Sequence, residues 1–175
     1  MLTTLHVSPA TETDIIELVT LVNSAYRGEA SQQGWTTEAH LLGGQRTDDD
    51  NLREMLAPEN ATILLARTPA GTIVGCVYLQ HLPDALYLGM LSVAPDKQAL
   101  GIGKQLLQAG ENQARQLGLP VVRMTVISVR HELLAWYERH GYQRTGETVA
   151  FPTDPRFGLP RQPLDLLVME KAVGL

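Results

Sequence analysis

Between Ala85 and Ile127 the sequence changes its period twice. "ALYLGMLSV" reads as a strand stopped by Pro95, "GKQLLQAGENQARQLG" recurs at helical spacing, and "VVRMTVI" is again a strand, rich in β-branched residues. On either side the chain offers hairpins. "TILLAR" and "TIVGCVYLQ" flank the turn "TPAG", and "YQRTGETV" and "LDLLVMEK" are separated by the loop "FPTDPRFGLPRQP". Interleaved strands and helices with hairpins at both ends predict an α/β (α+β) domain around one central mixed sheet.

The rest of the chain fits that frame. "LHVSPA" is a first strand, and Thr11 and Asp14 have the spacing of a capping box. Ile15, Leu18, Val19 and Val22 then mark a helix ending near Gly28. Residues 28–60 are polar and glycine-bearing and predict one or two short helices. In the central helix Leu107, Gly110, Ala114 and Leu117 share a face. "HELLAWYERHG" is a helix closed by Gly141.

A length of 175 residues suits one domain, read as spanning 1–175. A net charge of −5 argues against nucleic acid or an anionic membrane as the main partner, since both need a basic field. Cys76 is the single cysteine, so the chain has no internal disulfide and no thiolate metal cluster. No basic-then-apolar leader and no membrane-length apolar run is visible, which predicts a cytoplasmic protein. His6, His40 and His81 are scattered and suggest no metal site. "TDDDN", residues 47–51, reads as a capped helix start rather than a metal cluster.

The turn "QALGIGKQLL", residues 98–107, carries the first hint of chemistry. Glycine lets the backbone come close to a ligand, and the first N–H groups of the following helix lack internal partners. The helix dipole adds positive potential, so the turn suits a phosphate. A P-loop would need glycine at 98 and Ser or Thr at 105; both are Gln. A dinucleotide fingerprint would need glycine at 106, which is Leu. Gln98, Gly101 and Gly103 fit a third pattern: Gln or Arg, two residues, Gly, one residue, then Gly or Ala. Tight packing at the start of a helix explains the same glycines equally well.

Context adds to the motif. "LGMLSVAPDKQALGIGKQLL" followed by "LLAWYERHGYQRTG" resembles the GCN5-related N-acetyltransferase (GNAT) family, over about Leu86 to Gly146. The resemblance implies a mostly antiparallel sheet of about six to seven strands, splayed between the fourth and fifth, with about four helices around it. It implies acetyl-CoA as donor and no metal. The backbone of Gln98, Ala99, Leu100, Gly101, Ile102, Gly103 and Lys104 would wrap the pyrophosphate of coenzyme A. Leu91, Ser92 and Val93 would offer backbone groups to the pantetheine arm, with an N–H near Leu91 facing the developing oxyanion. Tyr137 would lie by the sulfur and protonate the departing thiolate; left to packing alone, it would be a core tyrosine beside Leu133 and Leu134. The activity implied is N-acetylation of a small molecule, amino acid or peptide end by direct attack in a ternary complex. A non-catalytic acyl-CoA-binding or sensing domain is the alternative. Monomer and homodimer are both compatible.

Two departures from the family pattern stand out. Ala99 and Leu100 replace a glycine and a basic residue frequent in relatives, which removes a side-chain contact to phosphate. Arg130 stands where relatives often carry asparagine, seven residues before the tyrosine. It is read as a helix cap or a solvated surface residue, or else as a contact to coenzyme A or the acceptor site.

On the acceptor side the candidates are Trp35, Glu38, Arg46 and Tyr87. The family's acceptor region usually lies between the first helix and the next strands. There Glu38 would attract an amine and Arg46 would hold a carboxylate in its fork. The other reading is an amphipathic surface helix over a packed Trp35. Tyr87 would help drain a proton, or is an ordinary strand aromatic. Lys97 and Lys104 reach phosphates or are solvated. His131 is read as exposed, and His140 as a helix-end cation.

Overall fold

The computed structural model describes residues 4–26, 36–98, 100–152, 154 and 158–174. In chain order these are β1 (His6–Pro9), α1 (Ile15–Tyr26), β2 (Leu42–Gly43), α2 (Asp49–Leu56), β3 (Ala61–Arg67), β4 (Ile73–His81), β5 (Leu86–Val93), α3 (Ile102–Gln116), β6 (Val121–Ile127), α4 (His131–Arg139), β7 (Gln143–Ala150), β8 (Leu159–Pro160) and β9 (Asp165–Ala172). Seven strands form one sheet in the order β1-β3-β4-β5-β6-β9-β7. Every neighbouring pair is antiparallel except β5 and β6. The expected mixed, mostly antiparallel sheet with four helices is therefore present. Among the described residues no helix is long and apolar enough to cross a membrane.

The central strand shows why both faces need a cover. Successive side chains of a strand point to opposite faces. In β4, Cys76 and Tyr78 join Ile15, Leu18 and Leu52 beneath α1 and α2, while Val77 and Leu79 join Leu106 and Leu107 beneath α3. α3 lies tight on the sheet at Gly110, where an added Cβ would sit 2.9 Å from a Leu88 methyl. Asp14 accepts a hydrogen bond from the Thr11 N–H at 2.8 Å at the head of α1. Asp48, rather than Thr47, caps α2, its carboxylate accepting from Asn51 N at 2.8 Å.

Three expectations are corrected. The loop before the last strand is not wholly irregular: β8 within it pairs with β2 as a separate small ladder. A two-residue strand carries no periodicity to read. Leu117 leaves the buried face of α3 and is 43 % exposed, because the helix ends at Gln116 and the chain turns there. Residues 36–48 form a turn and the short β2, not a surface helix.

One feature of β5 shapes the site. Leu86 and Leu88 face the α3 core, yet Met90, two residues on, faces the α1 core. Met90 has φ +52°, and the β4–β5 register slips across Cys76 and Tyr78. This is a bulge, one extra residue that re-aims the strand. Beyond it Leu91 and Val93 face the α3 side. The parallel pairing of β5 with β6 covers only Leu86↔Val122 and Tyr87↔Arg123. Past that point the two strands diverge, as expected for the fourth and fifth strands of the sheet.

Candidate active site

The gap left by the diverging strands is walled by the helices that follow them. α3 starts beside the end of β5, and α4 follows β6. A cleft of about 420 Å³ runs between them, with Leu91, Val93, Gln98, Gly101, Gly103 and Lys104 on one side and Arg130, Trp136, Tyr137 and His140 on the other. Gly101 is the N-cap of α3 in the left-handed region at φ +84°, where a side chain would strain the backbone. No side chain caps this helix, and no acidic residue stands in its first turn. The dipole is thus left unneutralised where the cleft opens. Gln98 Nε2 donates to the Val93 carbonyl at 3.2 Å and ties the loop to the strand.

The α4 wall is aromatic. Trp136 packs edge-on to Tyr137 with ring centroids 5.1 Å apart, and Tyr137 packs on Tyr142 at 5.9 Å. Tyr137 is 6 % exposed, and its hydroxyl has no hydrogen-bond partner among the described residues. Burial pushes its phenol well above the ordinary tyrosine value, and the nearby Tyr26 adds to the rise. His140 makes a 2.7 Å hydrogen bond through Nδ1 to the Trp136 carbonyl at the end of α4.

A second pocket, of about 240 Å³, opens on the other side of the same tyrosine. Its polar groups are Glu38, Arg46, Tyr87, Thr125 and Arg130, and its apolar walls include Met124, Ile127, Phe151 and Leu166. Tyr26, at the end of α1, stands between the two spaces. Its hydroxyl donates to the Leu91 carbonyl at 2.9 Å, just past the bulge. The guanidiniums of Arg46 and Arg130 lie 5.2 and 5.9 Å from its ring centre. Burial raises the Tyr26 phenol to about 12. Arg130 donates from Nη2 to Thr36 Oγ1 at 2.7 Å and from Nη1 to Glu38 Oε2 at 3.5 Å. Its Nε has no hydrogen-bond partner among the described residues; the Glu132 carboxylate stands 3.9 Å away. Tyr87 Oη lies 3.5 Å from Thr125 Oγ1.

Most of the residues singled out in the sequence thus meet around Tyr137. Leu91, Val93, Gln98, Gly101, Gly103 and Lys104 line the larger cleft; Glu38, Arg46 and Tyr87 line the smaller pocket. Ser92 and Ile102 turn their side chains into the core, and Ser92 Oγ donates to the Met90 carbonyl at 3.0 Å. Leu100 is 59 % exposed and lines neither space. Trp35 and Ala99 lie outside the described residues. Arg130 opens α4, but as a solvated residue it is corrected: it is buried, as is Glu38. A charged side chain hides in the core when a partner of opposite charge hides with it, and these two are far apart in sequence. Tyr26 and Trp136 went unnoticed. As apolar residues on amphipathic helices they carry no signal that separates a pocket wall from a core.

A splayed mixed sheet with a helix N-terminus at the gap, an aromatic helix opposite and two spaces sharing one tyrosine define an acyltransferase-like scaffold. Residues 27–152 match the acetyltransferase (GNAT) domain family, and the chain belongs to it. It is 29 % identical over 125 residues to the mycothiol acetyltransferase of Propionibacterium freudenreichii, a match covering 66 % of this chain and 39 % of that protein. It is 31 % identical over 122 residues to a Xenopus tropicalis protein described as a probable N-acetyltransferase, camello, covering 66 % of this chain and 55 % of that one. The chain thus matches less than two thirds of either relative's length. Among solved structures, the ribosomal-protein-alanine N-acetyltransferase of Brucella melitensis superposes with a TM-score of 0.70 at 24 % identity, covering 96 % of this chain and 99 % of that one. Nourseothricin acetyltransferase gives 0.70 at 16 %, covering 98 % and 100 %. At these identities the likeness is one of fold.

The family uses acetyl-CoA as its acetyl source. The cleft meets the needs of such a molecule: an uncapped helix start without acids, Lys104 beside it, and an added Cβ at Gly101 with no atom within 4 Å, so the backbone there is open to approach.

Proposed function

We propose that this chain is an N-acetyltransferase that moves the acetyl group of acetyl-CoA to the primary amine of a small molecule, amino acid or peptide. The observation that carries the proposal is the common wall of the two spaces: Tyr26, Leu91, Arg130, Leu133 and Tyr137 line both. Two substrates seated on opposite sides of one tyrosine can react directly. A domain that only binds acyl-CoA has use for the larger cleft and none for the second pocket. A cytoplasmic setting accords with this reading, since both substrates are soluble metabolites.

In this reading the α3 N-terminus and Lys104 bind the pyrophosphate, and the strand edge at Leu91 and Val93 aligns the thioester arm. Acetyl-CoA supplies an activated acyl carbon. The neutral amine attacks that carbon, the C–N bond forms, and the C–S bond breaks with its electron pair going to sulfur. The amine nitrogen loses one proton and the sulfur gains one, so an amide and a free thiol result. A backbone N–H near Leu91 receives the carbonyl oxygen as it becomes negative. The bulge re-aims this segment, and the Tyr26 hydroxyl holds its Leu91 carbonyl. Tyr137 gives its proton to the departing thiolate and takes one back from solvent water, while the amine's proton passes to solvent water, so the net transfer is from nitrogen to sulfur. A phenol is protonated at neutral pH, the state an acid requires, and burial leaves it so; the thiolate that forms as the C–S bond breaks is the base that draws the proton.

The test is thiol release from acetyl-CoA across a panel of primary amines, with the acetylated amine identified by mass. Thiol release matched by acetylated product is the expected result. Coenzyme A binding without thiol release from any amine would establish the binding-domain alternative.

A further inference from the structure

The smaller pocket carries an imbalance of charge. Among the described residues its wall holds two guanidiniums, Arg46 and Arg130, against one carboxylate, Glu38. Glu38 and Arg130 are paired and buried. Arg46 has no carboxylate partner among the described residues; its guanidinium rests on the Tyr26 ring at the pocket wall.

Arg46 is also held in place. Asn23 Oδ1 on α1 accepts from the N–H groups of Arg46 and Thr47 at 2.7 and 3.1 Å. Asn23 Nδ2 donates to the Thr47 carbonyl at 3.0 Å. The backbone is clamped and the head is stacked, so little freedom remains to be lost on binding an anion. A planar guanidinium suits a carboxylate, which it can grip through two parallel N–H bonds.

The remaining wall restricts what accompanies that carboxylate. Met124, Val126, Ile127, Phe151 and Leu166 are apolar. The volume of about 240 Å³ falls below the roughly 300–1,000 Å³ typical of sites for drug-sized ligands. Glu38 supplies a negative group for an incoming ammonium.

We infer that the acceptor is a free amino acid with an apolar side chain, its carboxylate seated on Arg46, its amine near Glu38 and Tyr137, and its side chain against Met124, Ile127 and Phe151. This deepens the acetyltransferase reading and rests on it for the reaction, though not for the binding.

The experiment uses three compounds with one hydrocarbon skeleton: L-leucine, L-leucinamide and 3-methylbutylamine. Each is compared at equal free-amine concentration, in turnover with acetyl-CoA and in calorimetric binding to the complex with coenzyme A, where no transfer occurs. A charged hydrogen-bonded contact predicts L-leucine ahead by about tenfold or more, mainly in KM and in Kd. Arg46→Gln should collapse that ratio, and Arg46→Lys should restore part of it. Equal binding of all three by the unaltered protein would overturn the inference without recourse to a variant, as would an equal loss on all three in Arg46→Gln. Carboxylate-dependent, Arg46-dependent binding without thiol release would uphold the amino-acid site and remove the transferase reading. Thiol release with no carboxylate preference would do the reverse.

Discussion

The two spaces around Tyr137 are built from different materials. The larger cleft has one wall from a single continuous stretch, the end of β5 and the start of α3 with its two glycines, and an opposite wall of large side chains from α4. The smaller pocket presents side chains from α1, the segment 38–46, β5, β6, α4 and the stretches on both sides of β8. In the proposed reading, the first recognises a feature of every coenzyme A molecule through helix geometry, and the second recognises a particular acceptor through buried charge. That reading predicts that the first tolerates change of sequence as long as the turn survives, and that the second fails when a single partner is removed.

Tyr137 belongs to both spaces, and its substitution should give the largest effect. Tyr137→Phe keeps the ring contacts to Trp136 and Tyr142. A positioned proton donor is worth roughly a hundredfold to ten-thousandfold, and that loss should fall on kcat with acetyl-CoA affinity nearly unchanged. The pH profile adds a sign. A phenol raised by burial is protonated below its folded-state pKa and loses its proton only as pH rises through that value. The rate should therefore climb as the amine deprotonates and show no falling limb from Tyr137 up to about pH 10, the ordinary tyrosine value. A falling limb near pH 8 in the unaltered protein, absent from Tyr137→Phe, would contradict this. So would near-normal turnover by the Phe variant when chemistry limits the rate.

The next effect should separate the two spaces by stability. Arg130→Met leaves Glu38 buried without its guanidinium. Removing one member of a buried pair costs about 3 kcal/mol, and Tm should fall by roughly 6–12 °C for a chain of this size. Adding Glu38→Gln should recover part of the loss. Lys104→Met on the other side of Tyr137 removes an exposed charge and should stay within about 0.5 kcal/mol. Thermal melts of all three decide the matter. An Arg130→Met protein that melts with the parent would mean the smaller pocket does not depend on its buried charges.

The same division explains what could be read from the sequence. One wall of the cleft is local: Pro95, Gly101 and Gly103 and the apolar spacing of α3 lie within one run, and each signals its own backbone geometry. The mixed sheet follows from a strand–helix–strand unit flanked by hairpins, whereas the splay is legible only through the family resemblance. The bulge at Met90 left no mark, since nothing in "LGMLSV" requires a methionine at φ +52°. The pocket is non-local. Arg130 and Glu38 are 92 residues apart, and each alone reads as a surface charge. Their burial rests on a contact between distant stretches, a pairing no single stretch can announce. Arg46 and Glu38 were recognised as acceptor candidates by residue type, although the surface helix offered as the alternative is absent.

The smallest effect addresses what Gly103 is for. It has ordinary helical geometry in the first turn of α3, so no left-handed backbone demands glycine there. An added Cβ would meet Trp136 at 3.5 Å and Val93 at 3.7 Å, ordinary contact distances. Gly103→Ala should therefore stabilise the fold, because alanine loses less backbone entropy, by about 0.5–1 kcal/mol. For this chain length that is a rise in Tm of roughly 1–4 °C. Gly103→Val is a poorer probe, since its extra methyls would press on Trp136 and confuse packing with binding. The same Cβ in Gly103→Ala narrows the cleft between α3 and α4 where the pyrophosphate arm is expected to pass. Coenzyme A affinity should fall by a few-fold while the melting temperature rises. Opposite signs in the two measurements are what a glycine kept for ligand approach predicts. If affinity holds or improves along with stability, Gly103 serves the packing of α3 on Trp136, and only Gly101 and the helix N–H groups remain as the phosphate cradle.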